Sequence, residues 1–334
     1  MQNNIYDTII IGAGCAGLGA AMYAGRLKMK TLMIGDNIGG TITFTDVVEN
    51  YPGFIRLTGQ ELADNLRKHA EDYNMEKAEA KVARIKIDHG CFFVETNENK
   101  IYETKTIIFA TGTEWRKLNI PGEKEFANKG VHYCALCDGA IYQNKIVAVV
   151  GGGDSAAKES LLLSQYASNV YVLVRGDKLR GEPINNERVS KNEKIEVITN
   201  VSAKEIIGDK IAKGVVLDRQ INRSATLKLD AVFVAIGHIA LSQLAKDAGV
   251  KTNGKGEIII DKESKTNIPG FFAAGDVTDT AFKQAITGVS EGVTAAYSAY
   301  TYVNENEFIC PVGNEDLIIK IEKKKYEAKP KRLK

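Results

Sequence analysis

The cysteine pair in Cys134-Ala-Leu-Cys137 carries the most specific chemistry in this sequence. Two cysteines at this spacing can close a small disulfide ring, and the thiols of such pairs tend to have a lowered pKa and to exchange readily. Asp138 follows the pair directly and could donate a proton to a departing thiolate. Half of a zinc site, a static structural disulfide and two inert buried thiols are the alternatives. The spacing favours redox chemistry over all three.

Two glycine-rich turns, about 139 residues apart, share one pattern in which an apolar strand precedes the turn and a helix follows it. The first glycine of such a turn makes the bend, the second lets the backbone approach a pyrophosphate, and the third position allows close helix–strand packing. One copy alone could be a packing turn, whereas two copies in this context predict two dinucleotide-binding sites. The residues of the two turns are Gly12, Gly14 and Gly17, and then Gly151, Gly153 and Ala156.

The residues after the second strand of each βαβ segment indicate which nucleotide binds. An acidic side chain there suits a ribose hydroxyl, whereas arginine suits a 2′-phosphate. Arg175 ends the strand in the second segment and Arg180 follows five residues later, which favours NADPH over NADH. Surface charge is the alternative interpretation of both arginines. In the first segment, Asp36 is the candidate ribose ligand.

The elements around these turns predict an α/β protein with two Rossmann-like dinucleotide-binding domains, each with a small antiparallel β element. Alternating residues at 81–87 and 91–96 predict an antiparallel meander, and 283–302 predicts a long helix. The first domain is therefore expected to be discontinuous, with the second inserted into it. The predicted boundaries are 1–117 and 244–310 for the first domain, 118–243 for the second, and 311–334 for a basic extension.

Composition limits the remaining function classes. The 334 residues are 44% hydrophobic and 26% charged, which is typical of a soluble globular protein of about two domains. The net charge of +2 combines a mildly acidic body with a basic stretch near the C-terminus, so neither a nucleic acid nor a membrane is the expected partner. Cys91 and Cys310 suggest no chemistry, and the start of the chain lacks a basic signal region, so we expect a cytoplasmic protein.

Taken together, the ordered motifs resemble those of the low-molecular-weight thioredoxin reductases. The resemblance covers about residues 5–303. Beyond the two glycine turns and the Cys-x-x-Cys pair, it depends on Gly39-Gly40, Glu49-Asn50-Tyr51-Pro52-Gly53, Ala110-Thr111-Gly112, Ala235-Ile236-Gly237-His238 and Gly275-Asp276 with Gln284-Ala285.

This resemblance implies FAD in the first domain and NADPH in the second. The residues implied to bind FAD are Gly12, Gly14, Gly17, Asp36, Gly39, Gly40, Thr41, Asn50, Val82, Thr111, Gly112, Gly275, Asp276, Lys283, Gln284 and Ala285. Those implied to bind NADPH are Gly151, Gly153, Asp154, Ser155, Ala156, Arg175 and Arg180.

The resemblance also implies an NADPH-dependent thioredoxin-disulfide reductase mechanism. Cys137 would lie against the flavin, Cys134 would attack the disulfide of thioredoxin or a glutaredoxin-like protein, and Asp138 would move protons. The family is usually homodimeric, and its domains rotate about segments that correspond here to 112–122 and 237–247.

The sequence departs from the family pattern near both nucleotides. Val174-Arg175-Gly176 stands where His-Arg-Arg is usual, so one phosphate-binding arginine is missing. Gly39-Gly40-Thr41 replaces Gly-Gly-Gln, and Lys283-Gln284-Ala285 replaces Arg-Gln-Ala. NADH or reduced ferredoxin therefore remains an alternative donor, and a non-catalytic redox-sensing flavoprotein remains an alternative function.

Overall fold

A computed structural model describes residues 5–45, 47–73, 75–221, 223–308 and 310. Within them, the strands are β1 (Tyr6–Ile11), β2 (Thr31–Ile34), β3 (Glu76–Ala78), β4 (Val82–Asp88), β5 (Cys91–Thr96), β6 (Ile101–Phe109), β7 (Thr113–Trp115), β8 (Val131–His132), β9 (Ile146–Val150), β10 (Asn169–Leu173), β11 (Ile195–Ile198), β12 (Ala203–Gly208), β13 (Ala212–Ile221), β14 (Ser224–Lys228), β15 (Ala231–Val234), β16 (His238–Ala240) and β17 (Phe271–Ala273). The α-helices are α1 (Cys15–Arg26), α2 (Gly59–Glu71), α3 (Ala135–Asp138), α4 (Asp154–Leu163), α5 (Pro183–Ser190), α6 (Gln243–Asp247) and α7 (Ala285–Glu305), with 3-10 helices at Gly40–Phe44 and Gly139–Tyr142.

The chain divides into two compact units. Unit 1 takes its residues from Met1–Gly40, Asp64–Thr111 and Ser242–Lys334, and unit 2 from Thr41–Ala63 and Gly112–Leu241. The predicted domain boundaries stay predictions, and the predicted basic extension at 311–334 lies outside the described residues.

Unit 1 is built on a seven-stranded sheet with the order β3-β2-β1-β6-β5-β4, in which β17 also pairs with β6. β1 pairs in parallel with both β2 and β6, and its apolar side chains are buried, as expected for a central parallel strand. β4 and β5 pair antiparallel from Val82 opposite Thr96 to Asp88 opposite Cys91, which confirms the predicted meander.

Helices α1 and α7 pack closely because small residues line their contact. A Cβ atom added to Gly292 would lie 2.1 Å from the carbonyl oxygen of Ala16, so only glycine permits this approach. Ala20, Ala24 and Ala295 are fully buried in the same core cluster. No helix among the described residues, including the 21-residue α7, is long and apolar enough to cross a membrane.

Unit 2 contains a parallel five-stranded sheet with the order β11-β10-β9-β15-β8 and an antiparallel three-stranded sheet, β12-β13-β14. β9 and β15 lie in the middle of the parallel sheet and are almost entirely apolar and buried, as expected for central parallel strands. The two Rossmann-like sheets and the antiparallel element beside each confirm the predicted fold class.

The two chain segments that enter and leave unit 2 pair with each other. β7 and β16 form a two-stranded antiparallel sheet, with Trp115 opposite His238 and Thr113 opposite Ala240. The amide of Leu241 donates to the carbonyl oxygen of Gly112 at 3.0 Å, which extends this pairing to the limits of the unit. Both segments were predicted as hinges, and that role stays a prediction.

A disulfide joins Cys91 on β5 to Cys310, with their Cα atoms 5.6 Å apart. Both cysteines are buried in a small apolar cluster that includes Phe93 and Phe308. The expectation that these two cysteines have no chemistry is therefore wrong. They are separated by 219 residues in the sequence, so only the tertiary fold brings them together.

Candidate functional site

The first glycine turn has the shape of a phosphate cradle. Gly12 has φ +112°, and an added Cβ would lie 2.2 Å from the carbonyl oxygen of Ala110. A Cβ on Gly17 would lie 1.9 Å from the oxygen of Gly12, so both glycines are held by packing. The nearest atoms to a Cβ on Gly14 are 3.8 Å away, and no side chain caps α1 at this residue. The open space at Gly14 fits a dinucleotide pyrophosphate at the start of α1.

The second glycine turn repeats this division between packed and open positions. A Cβ on Gly151 would lie 2.2 Å from the carbonyl oxygen of Ala235, and Ala156 is fully buried. Around Gly153, by contrast, no atom of the described residues beyond its chain neighbours lies within 4 Å of an added Cβ. The residues at this turn therefore also fit a dinucleotide.

Asp154, at the start of α4, is bound by protein groups. Its Oδ1 accepts hydrogen bonds from the amide of Glu182 at 2.7 Å and from Asn185 at 2.9 Å, and Lys158 lies 2.8 Å from Oδ2. Burial acts to raise the pKa of Asp154, but Lys158 and these hydrogen bonds outweigh it and lower the pKa. The neutralising lysine matters because an unpaired carboxylate here would repel a phosphate.

The two candidate phosphate-binding arginines lie beside the second glycine turn. The amide of Arg180 donates to the carbonyl oxygen of Gly152 at 2.8 Å, and Arg180 forms a β-bridge with Gly153. Its guanidinium group is 69% exposed and lies 3.8 Å from Asp177. Arg175 is also exposed. The fold thus places Arg180 at the turn while leaving both guanidinium groups accessible.

Most of the candidate FAD residues belong to unit 1. Gly14 and Gly39 form a β-bridge, Gly39 and Gly40 both have positive φ, and Asp36 forms an exposed ion pair with Lys81 at 3.3 Å. Unit 1 also contains Val82, Thr111, Gly275, Asp276, Lys283, Gln284 and Ala285, whereas unit 2 contains Thr41, Asn50 and Gly112.

Glu291 on α7 organises the Gly275–Asp276 loop, and sequence reasoning missed it. Its Oε2 accepts a hydrogen bond from the amide of Gly275 at 2.7 Å and from Thr278 Oγ1 at 3.3 Å, and its Oε1 accepts from Thr280. One sequence feature could have indicated a role for Glu291. It is an acidic residue within a long helical segment whose only other charged residue is the terminal Glu305.

Lys283, which stands where the family usually has arginine, fixes the same loop from the other side. Its Nζ donates to the carbonyl oxygen of Asp276 at 2.8 Å and to that of Thr278, and lies 3.2 Å from Glu257. Cys15 lies near this loop, and its pKa is raised to about 12, first by burial and then by Asp276. The Cys15 thiol therefore stays protonated at neutral pH.

Cys134 and Cys137 form a disulfide at the start of α3, with their Cα atoms 5.4 Å apart. Cys134 is the N-cap of this short helix, and its Sγ accepts a hydrogen bond from the amide of Cys137 at 3.1 Å. Cys134 is 7% exposed, whereas Cys137 is exposed. The amide of Asp138 donates to the carbonyl oxygen of Cys134 at 3.2 Å, so the acid is held at the pair.

Glu123 supports the segment that leads into this disulfide and was also missed as a candidate. It is only 5% exposed and accepts hydrogen bonds from the amides of Leu118 and Asn119 at 2.8 and 2.6 Å. The hydroxyl of Tyr133, next to Cys134, donates to it at 2.8 Å. The sequence feature that could have indicated a role for Glu123 is its position as a charged residue directly after Pro121-Gly122.

Comparisons with known proteins agree with this arrangement. Residues 6–292 match the family model described as pyridine nucleotide-disulphide oxidoreductase. Thioredoxin reductase of Listeria monocytogenes is 40% identical over 307 residues, which cover 91% of this chain and 96% of that protein. The crystal structure of Lactococcus lactis thioredoxin reductase has a TM-score of 0.86 and 39% identity, covering 90% of this chain and 100% of that chain. A ferredoxin-flavin thioredoxin reductase of Clostridium acetobutylicum has a TM-score of 0.50 and 32% identity, with 90% and 98% covered.

The chain therefore belongs to the pyridine nucleotide-disulphide oxidoreductase family, whose members use a flavin and a nicotinamide nucleotide. Within that family it is a disulfide reductase flavoenzyme of the thioredoxin reductase type. The resemblance stated from the sequence motifs is confirmed.

Proposed function

We propose that this protein carries electrons from NADPH, by way of FAD, to the Cys134–Cys137 disulfide and then to the disulfide of thioredoxin or a similar small redox protein. The observation that carries this proposal is the Cys134–Cys137 disulfide with Asp138 held beside it. FAD would supply the two-electron relay between a nicotinamide and a disulfide. Gly12, Gly14 and Gly17 would hold its pyrophosphate.

In the second step, the chain's own residues perform thiol–disulfide exchange. Cys134 attacks the partner disulfide as a thiolate, one partner sulfur departs, and Cys137 then displaces the other to restore the Cys134–Cys137 bond. Asp138 supplies a proton to a departing sulfur. Two electrons leave the dithiol and the partner gains two thiols, so the exchange balances.

Arg175 and Arg180 support NADPH as the donor because exposed guanidinium groups beside the second glycine turn suit a 2′-phosphate. A second candidate donor is reduced ferredoxin, which the name of the Clostridium acetobutylicum relative specifies for that protein. The missing arginine next to Arg175 is the feature of this chain that favours it.

Anaerobic titration with NADPH and then NADH, followed by flavin absorbance, tests the donor. We expect a low concentration of NADPH to bleach the flavin absorbance. Bleaching by NADH alone would move the proposal to NADH, and bleaching by dithionite but neither nucleotide would favour ferredoxin.

Gly153→Ala provides a matched test of the second turn. Its Cβ meets no protein atom within 4 Å, so the fold should tolerate it, yet it fills the space proposed for the pyrophosphate. We expect the KM for NADPH to rise at least about tenfold, equivalent to ~1.4 kcal/mol of binding, with flavin content unchanged. Gly254→Ala is the control because its Cβ also meets no atom within 4 Å and lies in the other unit. Equal KM values for both variants would refute a nucleotide at Gly153.

A further inference from the structure

A buried histidine lies behind the redox disulfide and has no role in the function proposed above. His132 ends β8 two residues before Cys134 and is only 3% exposed. Its ring stacks on Phe233 of β15, with centroids 5.2 Å apart and an interplanar angle of 27°. The strand pairing of His132 with Phe233 fixes the backbone from which the ring projects.

Each ring nitrogen of His132 faces one polar side chain. Nε2 forms a 2.7 Å hydrogen bond with the hydroxyl of Tyr142. Nδ1 lies 3.0 Å from Oδ2 of Asp138. Nδ1 is buried and has no well-directed hydrogen bond within the described residues, so a small rotation of the Asp138 carboxyl would complete one. The three side chains form a line from Tyr142 through His132 to the acid beside the cysteines.

The charges around this line determine how its protons are arranged. Burial, followed by Asp138 and Asp230, raises the pKa of Tyr142 to about 12, so the phenol keeps its proton. With Tyr142 O–H donating to Nε2, the neutral imidazole carries its proton on Nδ1, directed at Asp138. Lys145 lies 3.9 Å from Asp230 and offsets part of the charge of that carboxylate.

We propose that His132 is a positioning residue: held by Tyr142 with its proton on Nδ1, it orients the carboxyl group of Asp138 so that Asp138 can protonate a departing sulfur. The inference rests on the proposed disulfide exchange. In that step the Cys134 thiolate forms a bond to one partner sulfur, the partner S–S bond breaks, and the other partner sulfur takes the proton of Asp138. Solvent then returns a proton to Asp138, whose side chain is 36% exposed, while His132 keeps its proton on Nδ1 throughout.

The test compares two disulfide substrates whose departing thiolates differ in basicity. An aliphatic thiolate such as that of thioredoxin is a strong base and needs a proton as it departs, whereas the aromatic thiolate from dithiobis(nitrobenzoate) is stable as an anion. The enzyme is reduced with dithiothreitol, desalted anaerobically and mixed with saturating oxidised thioredoxin or with the aromatic disulfide, and single-turnover rates are measured from pH 6 to 9. The variants are His132→Asn, which retains a polar group near Nδ1, and Tyr142→Phe, which removes only a hydroxyl.

We expect both variants to reduce thioredoxin at least about tenfold more slowly at pH 8, which is less than the roughly 10²–10⁴-fold of a lost general acid because Asp138 itself remains. Both variants should react with the aromatic disulfide at rates within about twofold of the wild-type rate. The loss of rate with thioredoxin should become smaller as the pH falls. His89→Asn is the control, because His89 forms a similar 2.7 Å pair with Asp88 on an exposed turn of unit 1.

Equal losses with the two disulfides would overturn this positioning role in favour of a purely structural role for His132, and unchanged rates in both variants would overturn it outright. If the wild type reduced neither disulfide, the proposed function would itself fail. Because Tyr142→Phe leaves the buried ring of His132 in place, the test survives a His132 variant that does not fold.

Discussion

The Cys91–Cys310 disulfide should contribute strongly to the stability of this protein. It closes a ring across 219 residues, and the chain-entropy relation assigns about 5 kcal/mol to a ring of that size at 25 °C. Because residual structure in the unfolded chain usually reduces such values, we expect a loss of about 2–5 kcal/mol in the free energy of unfolding for the Cys91→Ala/Cys310→Ala double variant. Alanine suits the apolar cluster around the pair and leaves no free thiol.

Urea unfolding of the double variant, with Cys15→Ala as the matched control, measures this difference. Thiol alkylation in urea without reductant provides the direct chemical check. Of the five cysteines, only Cys15 should react if both disulfides are closed, and all five should react after reduction. Three reactive thiols in the unreduced, air-oxidised protein, or identical unfolding midpoints for the two variants, would refute the reasoning.

Four further substitutions test three other features. Gly12→Ala should cost at least about 3 kcal/mol of stability, because φ is +112° and the new Cβ would overlap the carbonyl oxygen of Ala110. Gly14→Ala should instead fold but lose flavin, because its Cβ has room within the protein. Thermal unfolding and the flavin-to-protein absorbance ratio distinguish the two variants. Glu291→Gln should weaken flavin retention about tenfold, because the amide removes an acceptor from the Gly275 loop, and dilution followed by ultrafiltration measures this. Burial raises the pKa of Glu159 from 4.5 to about 8, so the folded protein keeps a proton that the unfolded chain releases. The free energy of unfolding should therefore decline by up to about 4 kcal/mol as the pH rises from 4.5 toward 8. In Glu159→Gln, the urea midpoint should no longer show this decline. If the midpoints of the wild type and the variant changed with pH in parallel, the prediction would be contradicted.

The parts of the fold that sequence predicted are those encoded locally. A run of buried apolar residues followed by a glycine turn fixes a strand, a bend and a helix within about 20 residues. This locality explains why the structure has β1 before and α1 after the first glycine turn, and β9 before and α4 after the second.

What sequence could not predict depends on residues brought together by the tertiary fold. Cys91 and Cys310 share no motif and meet only because β5 and the segment after α7 are neighbours in unit 1. The contacts of His132 with Asp138 and Tyr142 could not be predicted, because they depend on how β8, α3 and the following 3-10 helix pack. Glu291 acts on a loop 16 residues away along the chain.

The paired segments β7 and β16 have a consequence for how this architecture can be modified. Because Gly112 and Leu241 are hydrogen-bonded neighbours, the stretch between them starts and stops at one place in space. Such a stretch can be exchanged as a cassette through two adjacent junctions, without lengthening or shortening the remainder of the chain. This stretch carries the second glycine turn and the cysteine pair, so if the turn binds the donor as proposed, replacing the stretch would be a short route to a new electron donor.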